Sequence, residues 1–174
     1  YSVSTAISQG QRFEELGIAH FEEPLPQYDY LGLKQVADAL AVPVSSGEQE
    51  HTRWQFRDLT QIGNPDILQP DIVMAGGISE VRKIYTLAET FNKPVMPHCP
   101  SAGVSSAASL HLCATVTNAV HPHEYLRESS GPRAQVDSLF EEPFVLEDDH
   151  VSIPDRPGLG LVIDPRALEA LRLG

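Results

Sequence analysis

Cysteine is scarce. There are two in 174 residues, Cys99 and Cys113, which is no disulfide framework and reads as a reduced thiol pair. Basic residues are also few, 12 Lys and Arg against 24 Asp and Glu, for a formal charge of −12. Nucleic-acid binding needs clustered cations to neutralise phosphates, so that class is excluded, and the same count disfavours docking on an anionic membrane. No apolar run approaches the roughly 20 residues of a membrane span. Tyr1-Ser2-Val3-Ser4 has no basic stretch followed by an apolar one, so no signal peptide is read there and a cytoplasmic location is expected. Position 1 is not methionine, and the chain is read as part of a longer one. What remains is ordinary globular composition, 41% hydrophobic and 21% charged, in a length that suits one domain with a real core.

Helical stretches alternate with short apolar runs. Ser4 to Gly17 is predicted as a helix with Ala6, Ile7, Phe13 and Leu16 on its apolar side, and Ile18 to Phe21 as a strand running into Glu22-Glu23-Pro24. Asp29 caps a second helix carrying Leu33, Val36, Ala37 and Leu40, and Pro43 to Ser46 is a strand ending at Gly47-Glu48. Thr52 opens a third helix with Trp54, Phe56, Leu59 and Ile62, and Ile67 to Gln69 is a strand ending at Pro70-Asp71. Gly76-Gly77 precedes a long helix striped by Ile78, Val81, Ile84, Tyr85 and Ala88; Pro94 to Met96 is a strand ending at Pro97-His98. Gly103 to Val116 is an Ala- and Ser-rich helix, and a last strand candidate ends near His123-Glu124-Tyr125.

Such alternation with short connections signals a parallel α/β fold. From Glu22 to Glu48, Asp71, His98 and Glu124 the steps are 26, 23, 27 and 26 residues, each the size of one βα unit. A repeated unit favours a barrel over an open sheet. In a barrel the carboxyl ends of the strands converge on one mouth, where active sites sit. Loop charges are commonly mere solvated groups. Five ionisable residues in phase with the strands are too regular for that reading.

The residue types set the chemistry. Glu22 and Glu48, on adjacent strands, are hard oxygen ligands suited to Mg²⁺. Asp71 and His98 can form a carboxylate–imidazole dyad in which the carboxylate fixes the tautomer and His98 accepts a proton near neutral pH. Glu124 could donate a hydrogen bond or position a substrate. A divalent ion beside a histidine base suits removal of a proton from carbon next to a carboxylate.

Phe21-Glu22-Glu23-Pro24, Ser46-Gly47-Glu48, Gln69-Pro70-Asp71 with Gly76-Gly77-Ile78, and Pro97-His98 together resemble the mandelate racemase subgroup of the enolase superfamily, through Pro157-Gly158-Leu159-Gly160 near the end. The resemblance implies a partial TIM-type (β/α) barrel, roughly strands 4 to 8, with residues 1–140 in the barrel and 141–174 returning to a capping domain. It implies Glu22 and Glu48 as Mg²⁺ ligands, His98 with Asp71 as the acid/base dyad, and Glu124 as the electrophilic or substrate-orienting glutamate. The cap, the first strands, an Asp metal ligand on the third strand and any second base would lie before Tyr1.

Gly47-Glu48-Gln49-Glu50-His51 with Phe56-Arg57 is similar to sugar-acid dehydratases of the rhamnonate type. The implied function is loss of water from a sugar acid, with Mg²⁺ as cofactor, a small-molecule substrate and a homo-oligomeric longer protein. His51 is a candidate substrate contact. The alternatives are a racemase or epimerase, which needs a second base opposite His98, and a non-catalytic remnant that only packs with a partner. Glu23 is expected to point away from the mouth by strand alternation, and His20 to be packed or hydrogen-bonded. Gly158-Leu159-Gly160 lacks the context of a dinucleotide site, and no serine sits in a nucleophile elbow.

Overall fold

The computed structural model describes residues 1–100, 102–125 and 132–172. The chain falls into two compact units, Tyr1–His98 with Val116–Pro122, and Cys99–Thr115 with His123–Gly174. No helix among the described residues is long and apolar enough to cross a membrane.

In the first unit α1 (Val3–Leu16) starts where the Ser2 side chain accepts the Thr5 N–H and stops at Gly17, whose φ of 66° is left-handed. Ala6 and Gly10 form its buried face, whereas Leu16 is 75% exposed against expectation, since at 3.6 residues per turn it falls about 80° round the helix from Ala6. After β1 (Phe21–Glu22), α2 (Tyr30–Ala39) is capped by the Asp29 carboxylate on the Gly32 N–H. Next come β2 (Val44–Ser46) and α3 (Thr52–Asp58), which continues into a π-helical turn, Leu59–Gly63. Strand β3 (Ile67–Leu68) and α4 (Ile78–Thr90) follow.

The strands lie in the order β1-β2-β3 and are all parallel, with Phe21 opposite Val44, Glu22 opposite Ser45, Ser45 opposite Ile67 and Ser46 opposite Leu68. Chain order equals spatial order, as in a barrel built one βα unit at a time. The expected fourth strand is reduced to a parallel bridge between Leu68 and Val95. Pro94 and Pro97 have no N–H, so only Val95 and Met96 can donate between them, to Asn118 O and Leu68 O, both at 2.9 Å.

The core of this unit is apolar. Val36, Val44, Phe56, Leu59, Leu68, Ile84 and Val95 are wholly buried, and each contributes about 1.5–3 kcal/mol by leaving water. Trp54 on α3 is exposed, with the guanidiniums of Arg53 and Arg57 each 5.6 Å from its ring. Ile62 is exposed because the π turn adds a residue and carries it off the face that buries Leu59 and Gly63.

In the second unit α5 (Val104–Cys113) buries most of its surface, from Ser106 to Leu110 and at Leu112. The short helix α6 (Pro132–Asp137) precedes a hairpin of β4 (Leu146–Glu147) and β5 (His150–Val151), which turns through Asp148 and Asp149 at φ 47° and 60°. Two positive φ values give the type I′ geometry that matches strand twist. Helix α7 (Pro165–Ala170) is capped by Asp164. No strand forms at His123-Glu124-Tyr125, contrary to expectation. Pro122 offers no donor there, and the Glu124 carbonyl is taken by the His123 ring Nδ1 at 2.6 Å.

Candidate active site

Each of the first four expected residues sits at the carboxyl end of its own strand or bridge: Glu22 in β1, Glu48 two residues past β2, Asp71 three past β3, and His98 three past Val95. Parallel pairing brings these ends to one edge of the sheet.

Three of them meet. His98 Nδ1 lies 2.9 Å from Asp71 Oδ2, and its Nε2 lies 3.3 Å from Glu48 Oε2. The other Asp71 oxygen, Oδ1, accepts the backbone N–H groups of Val73 at 2.7 Å and Met74 at 2.9 Å. An ionised carboxylate only accepts, so Nδ1 carries a proton toward Asp71, and Nε2, facing Glu48, carries a second one in the imidazolium and is the basic position once that proton leaves. The Asp71 carboxylate, secured from both oxygens, thus holds the imidazole in the tautomer a general base requires. Glu48 is steadied by Gln49, whose amide donates to Oε1 at 2.8 Å.

Glu22 is tied differently. Its Oε2 accepts from the Gln69 amide at 2.8 Å and lies 3.5 Å from His20 Nε2. Glu23 departs from expectation. At φ 40° its backbone is left-handed, which breaks strand alternation. Burial, and then the fields of Glu48, Glu50 and Glu22, push its carboxyl up to about 7. Glu50, 2% exposed, is also pushed up to about 7 by burial, opposed by a hydrogen bond from the Tyr30 hydroxyl at 3.3 Å. Glu23 Oε1 and Glu50 Oε2 are buried with no donor among the described residues. Glu50 and the side-chain amides of Gln49 and Gln69 are the features that sequence reasoning passes over. Only the Glu48-Gln49-Glu50 spacing hints at any of them.

His51 stands at the exposed N-terminus of α3, with its ring Nδ1 donating to the Met74 carbonyl at 2.7 Å. In the second unit Glu124 Oε2 accepts the Cys99 N–H at 2.6 Å. Beside it His123 is held between Ser109 Oγ at 2.8 Å and the Glu124 carbonyl, and burial lowers its pKa.

Among the described residues no three His, Cys, Asp or Glu side chains converge as a metal cage. Glu22 and Glu48 nevertheless suit Mg²⁺, which is commonly held by one or two carboxylates together with water and substrate oxygens. Two carboxyls pushed upward by burial and by acidic neighbours, each with an oxygen lacking a donor among the described residues, mark a place short of positive charge.

Residues 1–167 match the family described as Enolase C-terminal domain-like. The chain is 37% identical over 164 residues to an arabinonate dehydratase of Saccharolobus solfataricus, covering 94% of this chain and 42% of that protein. It is 35% identical over 179 residues to a D-galactarolactone cycloisomerase of Agrobacterium fabrum, covering 99% and 47%. The solved mandelate racemase/muconate lactonizing protein of Paracoccus denitrificans superposes with a TM-score of 0.89 at 34% identity, covering 98% of this chain and 45% of that one. The chain therefore spans less than half the length of these relatives. With its parallel βα units, its polar strand ends and this family match over nearly every residue, the chain belongs to the enolase superfamily, in the C-terminal domain of the mandelate racemase and muconate lactonizing type.

Proposed function

We propose that this chain supplies the C-terminal part of the barrel of a Mg²⁺-dependent sugar-acid dehydratase, with residues 1–140 in the barrel and 141–174 leading toward a capping domain. The carrying observation is the Asp71–His98 dyad with the Glu48 carboxylate at the basic nitrogen. Further ligands, a second base and the cap would come from the rest of the protein. Several relatives are named as dehydratases of arabinonate, D-xylonate and D-galactonate.

In this reading the substrate is a small sugar acid whose α carbon faces His98 Nε2. The imidazole takes the α proton and the C–H pair becomes the double bond of an enediolate. The resulting imidazolium is stabilised by Asp71, which already accepts from Nδ1. The β hydroxyl then leaves as water with a proton from an acid, which is His98 itself where the stereochemistry puts both groups on one face. Glu22 and Glu48 would hold the Mg²⁺, whose charge, when bound, favours the enediolate. Glu124 is assigned the hydrogen bond that orients the substrate carboxylate, and His51 a contact to the sugar chain.

The test uses the intact enzyme on a panel of sugar acids in D₂O. Formation of a 2-keto-3-deoxy product supports the dehydratase. Exchange of the α proton without loss of water favours a racemase or epimerase, and neither reaction favours a non-catalytic role.

A further inference from the structure

We propose that Gln69 is the positioning residue for Glu22, fixing the direction in which that carboxylate faces the cation; this rests on the reading of Glu22 as a Mg²⁺ ligand. Gln69 follows β3 and is 3% exposed. Its side chain reaches past β2 to donate from Nε2 to Glu22 Oε2 at 2.8 Å, a pair 47 residues apart in the chain. The amide orientation is settled by its partner: a carboxylate only accepts, and a flipped amide would set two oxygens against each other. That orientation leaves Gln69 Oε1 buried without a donor among the described residues. A residue present only to fill space has no reason to carry an unmet acceptor, because leucine or methionine would fill the same volume without one.

The base of this arm is rigid. The Gln69 N–H donates to Ser46 O at 2.9 Å, and a Cβ on Gly47 would come within 3.0 Å of the Gln69 backbone nitrogen, so the two segments pack without a side chain between them. Glu22 is the looser partner. Its side chain is 43% exposed, and besides Gln69 it has the 3.5 Å approach of His20. Glu48 receives its amide from the adjacent residue, whereas Glu22 receives one from two strands away. The direction of the Glu22 carboxylate is therefore set by the sheet.

The experiment compares Gln69→Leu, Gln69→Met and Glu22→Gln with wild type in the intact enzyme, reading Mg²⁺ affinity by calorimetry and thermal unfolding without metal. Both Gln69 variants are expected to weaken Mg²⁺ binding about 10–100-fold, the usual loss when a ligand's hydrogen-bonding partner is removed. Their metal-free melting temperatures should match or exceed wild type, because the unmet acceptor is gone. Wild-type Mg²⁺ affinity in both, alongside weakened binding in Glu22→Gln, overturns the positioning role alone. Wild-type affinity in Glu22→Gln overturns the ligand reading as well. A lower metal-free melting temperature in both Gln69 variants marks a structural role and also overturns the proposal.

Discussion

Nδ1 of His98 stands 2.9 Å from Oδ2 of Asp71, although 27 residues separate them in the chain. Asp71 commits its other oxygen to the N–H groups of Val73 and Met74, so it cannot swing away from the ring. Its loop orients the carboxylate, and the carboxylate orients the imidazole.

His98→Asn in the intact enzyme is expected to abolish dehydration with the fold kept. General acid–base catalysis contributes about 10²–10⁴-fold. A variant retaining more than about a tenth of wild-type turnover on the preferred sugar acid, with unchanged circular dichroism, would remove His98 from the base role.

Asp71→Asn should be nearly as damaging by a different route. Asparagine can still accept from Val73 and Met74 with its oxygen, which turns its NH₂ toward His98. Nδ1 must then accept, and the proton moves to Nε2, where the basic lone pair is needed. A drop of about 10²–10⁴-fold in kcat is expected, with the tautomer exchange visible in the ¹⁵N shifts of the ring. Unchanged ¹⁵N shifts would refute the mechanism even if the rate fell.

Glu22→Gln and Glu48→Gln should each weaken Mg²⁺ binding and lower turnover together, since each removes one negative charge from the neighbourhood of a small, hard cation. Calorimetric titration decides it residue by residue: a variant that binds Mg²⁺ as tightly as wild type has lost no ligand.

The Arg53–Glu80 pair gives a pH prediction. The guanidinium donates to both carboxylate oxygens, at 2.8 and 2.7 Å, and the Arg53 N–H donates at 2.9 Å. These bonds hold the Glu80 carboxyl down at about 2, against an ordinary 4.5. A depressed carboxyl pKa stabilises the fold above the unfolded value and loses that contribution as pH falls through the folded one. Wild type should therefore exceed Glu80→Gln by a constant margin above about pH 4.5, and the margin should vanish toward about pH 2. Urea unfolding across that range checks it, and a margin independent of pH would show that the pair contributes no linkage.

Residues 1–174 expressed alone should give no active, monomeric, cooperatively melting protein. Among the described residues β1 pairs only with β2, so its outer edge presents unpaired backbone groups that invite association. Light scattering and a sugar-acid assay on that polypeptide decide the question.

The elements set by local rules are legible in the sequence. Asp29 before Leu33 and Val36, Gly17 after Leu16 and Gly77 before Ile78 mark helix ends through caps and turns that act within a few residues. The meeting of Asp71 with His98 is legible too, because one βα unit separates them. Strand lengths are not: the prolines at 94 and 97 leave room for a bridge only, and residues 123–125 form no strand. Alternation misplaces Glu23 because it assumes an extended backbone, and the φ of 40° there is a property of the turn. Gln69 cannot be found in advance, since its partner lies 47 residues away and glutamine carries no chemical signature of its own.

The order β1-β2-β3, continued by the bridge at Val95, gives each polar strand end its own segment of chain, joined to the next through a helix. A lineage can thus rewrite the segment that bears His98 while the segments bearing Glu22 and Glu48 stay as they are. If Glu22 and Glu48 hold the cation and His98 moves the proton, as proposed, the two roles would be inherited separately, and one scaffold could come to serve reactions that share a first step and diverge at the second.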